Sequence, residues 1–336
     1  MFIKKAKNIL CSTLLTLLII PTLVFAYPSH LIPGGENIGI QINSKGIMIV
    51  GMYKVNNYYP GRDAGLKIGD NILTINDQKI SNINEMINII NQVNQQEKIT
   101  IGYKRNNLFY KTTLKLVKTE ENLYKTGLYV KDTISGIGTL TYIDPKTKMY
   151  GALGHEVIEK STGQKVEVQT GKIFKSDVLN IEKSNRGSPG EKNARFYSNL
   201  VYGDIFKNTT VGIFGTYTSE LPNKKLYKVA KPNEVKIGEA TMLTVLENST
   251  IEEFTIDIIK LNNNQQKMKN ILFNITDAKL LDMTGGIVQG MSGSPIIQDE
   301  MIVGAVTHVV IDETSKGYGI FIQHMLEEGN KNKEQN

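Results

Sequence analysis

The chain has 336 residues, longer than one compact core usually holds, so two folded units of about 100 to 200 residues each are expected. With 40% hydrophobic and 21% charged residues it is an ordinary globular composition, which excludes wholesale disorder. After residue 26 there are 36 basic against 33 acidic side chains, too even a balance for a nucleic-acid binder, and the single cysteine, Cys11, leaves no disulfide, thiolate nucleophile or thiolate metal site beyond it.

Residues 1–26 are read as an export segment. Lys4, Lys5 and Lys7 precede the uncharged run from Ile9 to Ala26. Val24 and Ala26 suit a signal peptidase, and the run also approaches the roughly 17 residues that span a bilayer, so a cleaved signal peptide and a retained membrane anchor both fit. Lysines on the inner side place everything after Tyr27 outside the cytoplasm.

"YPSHLIPGGENIGIQI" predicts a loop at Gly34 and Gly35 feeding a strand that alternates through Ile38, Ile40 and Ile42, and "GIMIVGMYKV" predicts a second strand. Pro60 to Ile80 reads as a turn, a short helix at Ala64–Leu66, a Gly69-Asp70 turn and a strand through Ile72, Leu73 and Ile75. Ser81 and Asn82 cap a helix whose Met86, Ile89, Ile90 and Val93 share one face, and "KITIGYKRNNLFYKTTLKLV" is a strand pair turning at Asn106 and Asn107. "GGENIG" is no phosphate cradle, because a strand follows it rather than a helix.

This order of elements, with "AGLKIGDNILTIN", resembles a PDZ domain of the bacterial protease-associated kind over residues 34–118. The resemblance implies a peptide added beside the strand after the glycine loop, with Gly34, Gly35, Ile38, Gly39 and Ile40 as the peptide-binding loop and strand.

Glu120 to Lys125 is a charged bridge, and from residue 126 to 328 the pattern is mainly β. "GIGTLTYIDPKTKMYGALGHEV" predicts a hairpin of Thr139–Ile143 and Met149–Leu153 turning at Asp144-Pro145. Many short strands without a long helix predict a closed β-barrel or a pair of them.

A serine hydroxyl needs an imidazole to take its proton, an acid to orient that imidazole, and amides to receive the oxyanion. In "GMSGSP" the glycines at 290 and 293 let the backbone bend around Ser292, so that the amides of Gly290 and Ser292 form the expected oxyanion hole. The hexapeptide is similar to the Gly-x-Ser-Gly-Gly-Pro signature of chymotrypsin-like peptidases, with Ser294 in place of a glycine. An α/β-hydrolase elbow would read Gly-x-Ser-x-Gly and would alternate strands with helices, so that reading is set aside although His308 and Asp312 lie downstream. His155, ending the second hairpin strand, is the expected base; His308 and His324 are read as structural, and His30 as part of a flexible connector. For the acid, spacing leaves Asp204, Asp257, Asp277 and Asp282 open. No His-x-x-x-His pair is present, and neither a metal nor a cofactor is expected.

The export segment, the PDZ pattern, "GIGTLTYIDP", "GALGH" and "GGIVQGMSGSPI…GAVTH" together resemble the SpoIVB peptidase family of endospore-forming bacteria. The resemblance implies a chymotrypsin-like serine endopeptidase with His155 as base, Asp277 as acid and Ser292 as nucleophile, Asp282 being the rival acid. It further implies a membrane-associated signalling protease acting between forespore and mother-cell membranes. Such a protease processes itself, here within Tyr27–Ile32, and cuts a membrane-bound regulatory protein of an intramembrane metalloprotease complex, with its own N-terminal segment as PDZ ligand. The rival readings are a non-catalytic PDZ scaffold and a quality-control PDZ protease. In the latter the PDZ domain follows the protease, whereas here it is expected to precede it.

Overall fold

The structure, a computed structural model, describes residues 27–92, 97–263 and 268–331. The expected export segment, and Val93 of the expected amphipathic helix, lie outside the described residues.

The first strands are β1 (His30–Pro33) and β2 (Asn37–Met52). The two halves of β2 serve different units. Its first half places Ile38, Ile40 and Ile42 in one core, and its second half places Ile47 and Ile49 in another. Each such aliphatic side chain contributes about 1.5–3 kcal/mol on burial.

The second half of β2 belongs to a unit with α1 (Pro60–Asp63), β3 (Asn71–Ile75), β4 (Gln78–Lys79), α2 (Ile83–Gln92), β5 (Lys98–Arg105) and β6 (Leu108–Lys115). Helix α1 starts ahead of the predicted Ala64–Leu66 because Pro60, with its φ fixed and no N–H to lose, suits a first helical turn. At α2 the predicted cap is a reciprocal box. Asn82 Oδ1 accepts from the Glu85 amide at 3.0 Å, and Glu85 Oε2 accepts from the Ser81 amide at 2.6 Å. Asn106 and Asn107, at φ 50° and 65°, make the predicted two-residue turn. The Asp70 side chain, 1% exposed, receives Arg105 Nε and Nη2 at 2.6 Å each, tying the Gly-Asp turn to the end of β5.

A small ribbon of β7 (Val117–Lys118) and β8 (Tyr124–Lys125) leads into β9 (Leu128–Ile143), again a strand of 16 residues. Then come β10 (Met149–Ala152), the ribbon β11 (Ile158–Glu159) and β12 (Gln164–Lys165), β13 (Val168–Glu182), β14 (Glu191–Thr209) and β15 (Gly212–Tyr217). Pairings run from β2 to β9, β10, β15, β14 and β13 and return to β2, a closed ring of six strands.

The rest of the chain supplies β16 (Tyr227–Val229), β17 (Gly238–Val245), β18 (Ile251–Leu261), β19 (Ile271–Ile275), α3 (Ala278–Thr284), β20 (Pro295–Gln298), β21 (Met301–Val309), β22 (Lys316–Phe321) and α4 (Ile322–Asn330). A second ring of six closes through β17, β18, β19, β22, β21 and β20. Strand β1 joins the rings: Ile32 pairs with Ile143 of β9, and His30 with Lys228 of β16, which runs parallel to β21. Between the rings, Leu31, Tyr142, Phe214 and Ile302 pack with Met325 and Leu326 of α4.

Two expectations are corrected and a third is refined. Gly34, Gly35, Ile38, Gly39 and Ile40 are not a peptide-binding edge. The amides of Gly34 and Gly35 donate to Thr141 and Leu140, and residues 38–43 have β9 on one side and β13 on the other, so no edge is free for a guest strand. The first ring is not built from residues 126–328 alone, because Asn37–Asn43 of β2 is one of its strands and stands ahead of the PDZ-like unit. Nor is Tyr27–Ile32 a flexible connector with an open self-cleavage site, since His30–Pro33 is a paired strand with Leu31 and Ile32 at 0% and 4% exposure.

Candidate active site

A cleft of about 790 Å³ lies between the rings, lined by Lys131 and residues 133–137 of β9, the His155 turn, Lys192 of β14 and, from the second ring, Gly290, Ser292 and His308. Strand β9 also holds the serine loop. The Thr139 amide donates to the Ser292 carbonyl at 2.9 Å, Thr139 Oγ1 to the Gly290 carbonyl at 2.7 Å, and Thr141 Oγ1 to the Gly293 carbonyl at 2.8 Å. Gly290 and Gly293 have φ of 97° and 96°, and a Cβ on Gly293 would collide with the Thr139 carbonyl, so glycine is required there.

Among the described residues no acceptor takes the amide hydrogens of Gly290 or Ser292. Two neighbouring amide donors without partners of their own are what a developing oxyanion needs. The Ser292 hydroxyl donates to the Thr307 carbonyl at 2.8 Å.

His155 follows β10, beyond Leu153 and Gly154 in left-handed conformation at φ 71° and 70°. Its Nδ1 donates to the Glu156 carbonyl at 2.8 Å, because a carbonyl can only accept; this fixes the tautomer and leaves Nε2 to take a proton. Burial lowers the imidazole pKa, and the Glu156 carbonyl and carboxylate partly offset that, so the His155 ring is uncharged near pH 7.

The turn carrying His155 is pinned by a residue the sequence did not flag. Asn208, near the end of β14, accepts from the Val157 amide at 2.9 Å and donates to the carbonyls of Val157 and Val166 at 2.8 and 2.9 Å. A side-chain amide that satisfies a loop's amide and carbonyl together has no sequence periodicity to betray it.

His308, read as structural, is instead part of the cleft wall, its ring centroid 5.3 Å from that of His155. Burial first, then the nearby His155 and Lys269, push its pKa down to about 4, which keeps it uncharged beside the base. Lys192 was also missed. Its side chain is 1% exposed, its Nζ donates to Thr244 Oγ1 at 2.8 Å, and burial pushes its pKa down to about 7. Ser294, the departure from the glycine signature, is fully buried with an unpartnered hydroxyl among the described residues.

The expected acid is not brought to the base. Asp277 caps α3, its Oδ1 accepting from the Leu280 amide at 2.9 Å, and it does not line the cleft. Asp282 and Asp204 are exposed and Asp257 lies on β18, all three outside the cleft lining. The orienting acceptor for His155 is therefore a backbone carbonyl.

Comparison with known proteins bears on this arrangement. The SpoIVB peptidase S55 family matches residues 122–326, and a PDZ domain family matches residues 37–116. No curated protein is significantly similar. Among solved structures, the PDZ domain of the SdrC-like protein from Listeria monocytogenes is 21% identical, covering 27% of this chain and 93% of its own, with a TM-score of 0.23. The active form of the Rv3671c protease from M. tuberculosis is 13% identical, covering 59% of this chain and 75% of its own, with a TM-score of 0.33. The S55 match spans well over half of the chain and contains both His155 and Ser292, so the chain belongs to the SpoIVB peptidase S55 family and is a serine peptidase carrying a PDZ domain.

Proposed function

We propose that this serine peptidase is an extracytoplasmic endopeptidase of endospore formation that cleaves a membrane-bound regulatory protein and so releases an intramembrane metalloprotease to activate a late mother-cell sigma factor. Its two six-stranded rings are read as the paired barrels of the chymotrypsin-like fold, with Ser292 as nucleophile, His155 as general base and the Gly290 and Ser292 amides as oxyanion donors. The observation that carries the catalytic part is the shared cleft: the serine, the neutral imidazole and two unpartnered amides all face it. The location is inferred from the basic, then apolar, residues 1–26; among the described residues no helix is long and apolar enough to cross a membrane.

Before attack the Ser292 hydroxyl leaves the Thr307 carbonyl and turns toward the imidazole, a single rotation about Cα–Cβ. Two experiments test the proposal. A fluorophosphonate probe followed by mass spectrometry should modify Ser292 in the wild type and nothing in Ser292→Ala; absence of adduct from folded wild type refutes an assembled site. In an endospore-forming host lacking this chain, wild type but not Ser292→Ala should restore late mother-cell transcription, and rescue by the alanine variant refutes the signalling role as proteolysis.

A further inference from the structure

PDZ domains take an extended peptide as an added strand on an open sheet edge. In this chain that edge is occupied. The second half of β2 has β3 on one side, with Ile47 opposite Ile72. On the other side lies Leu128–Lys131 of β9, antiparallel, with Met48 opposite Lys131, Ile49 opposite Val130 and Met52 opposite Leu128. The PDZ match ends at residue 116, so the added strand comes from outside the domain it completes.

The guest segment is held as a ligand would be. The Tyr53 amide donates to the Gly127 carbonyl at 2.9 Å, extending the ladder. Leu128 is 6% exposed in the PDZ core with Leu66 and Met86, and it sits so close over Gly61 that any Cβ there would strike it. Val130 packs against the same core, whereas Tyr129 between them is 57% exposed. Asp132 Oδ2 accepts from the Ile83 amide at 2.7 Å, at the first turn of α2.

We propose that Leu128–Asp132 is the built-in ligand of the PDZ groove, and that a partner enters only by expelling it. The groove takes an extended segment with a leucine-like residue, a β-branched residue two positions on, and an acidic residue two further on. Because β9 continues unbroken from this groove through the cleft wall to Thr139 and Thr141, exchange of the guest strand releases one end of the element that holds the serine loop. The inference rests on the strand pairing and the PDZ match, not on the proposed physiological substrate.

A labelled peptide of residues 126–133, TGLYVKDT, tests this by fluorescence anisotropy with the full-length protein. A tethered ligand competes at an effective concentration of roughly millimolar, so wild type should bind the free peptide weakly. Leu128→Ala in the protein should tighten binding by about tenfold or more, since truncating a buried leucine weakens the internal competitor. Asp132→Asn, which keeps the side chain's shape, should tighten it by about threefold. Saturating peptide should also speed hydrogen exchange at Tyr129 and Lys131 while leaving β5 and β6 protected. Equal affinity for wild type and both variants, no binding to any of them, or unchanged exchange at residues 129–131 overturns the proposal.

Discussion

Replacing Lys192 by methionine should remove a pH dependence of stability built into the first ring. The ammonium group is buried with one neutral partner, the Thr244 hydroxyl, and its pKa falls from 10.5 to about 7. The sign follows from proton counts. Between pH 7 and 10.5 the unfolded chain holds a proton on Lys192 that the folded chain lacks, so stability rises with pH across that window, and below pH 7 the folded state carries the full cost of a buried charge. Each pH unit in the window contributes about 1.4 kcal/mol, giving about 3 kcal/mol between pH 7 and 9.5. Staying below pH 10 avoids the buried tyrosines, Tyr142 and Tyr150, whose raised pKa values act in the opposite direction. Urea unfolding followed by tyrosine fluorescence should show the wild-type midpoint of the peptidase transition climbing by about 1 M from pH 7 to 9.5. Lys192→Met should be flatter by that amount and more stable at pH 7. Parallel pH profiles for the two proteins would refute the reasoning, because loss of the bond to Thr244 alone shifts both ends equally.

Three further outcomes separate roles within the site. Asp277→Ala should cost about 1 kcal/mol of stability as a lost helix cap, while Asp277→Asn keeps the cap; the rate of fluorophosphonate modification should fall less than about tenfold in both, against roughly four orders of magnitude for a triad acid. Asn208→Ala should lower kcat by about tenfold or more with KM little changed, because the His155 turn loses three hydrogen bonds to a side chain that does not itself line the cleft, and an unchanged kcat would show that the turn holds itself. The acid limb of kcat/KM should have its midpoint below pH 6.5, since burial lowers the His155 pKa; a midpoint above 6.5 would mean that a carboxylate pairs with the base.

Residues with local signatures were legible in the sequence. Asn106-Asn107, the Ser81 and Asn82 cap and the glycines around Ser292 each force a backbone shape that neighbours in sequence complete. The place of His155, just past a hairpin strand, was legible because the chain already reads as β there. Residues whose role depends on a distant strand were not. Lys192 has no nearby signal that its methylenes pack beside Gly290, and Asn208 acts on a turn some fifty residues away. His308 reads as structural in the sequence, yet with Thr307 and Val309 it forms part of the cleft wall.

The misplaced PDZ loop has a more general cause. The alternation Ile38, Ile40, Ile42 predicts a strand with one buried face, and this was correct, but periodicity reports faces and says nothing of edges. An edge is free or taken according to which strands arrive beside it, here β9 from about 100 residues downstream and β13 from farther still. A single strand can therefore read as one element and serve two units, and both 16-residue strands do so: β2 and β9 run side by side from the peptidase ring into the PDZ unit. Two continuous paired strands resist independent motion of the units they join far better than a flexible linker would, because separating the units means breaking ladder hydrogen bonds. Any signal received at the PDZ groove thus has a direct mechanical route to the residues that hold Ser292.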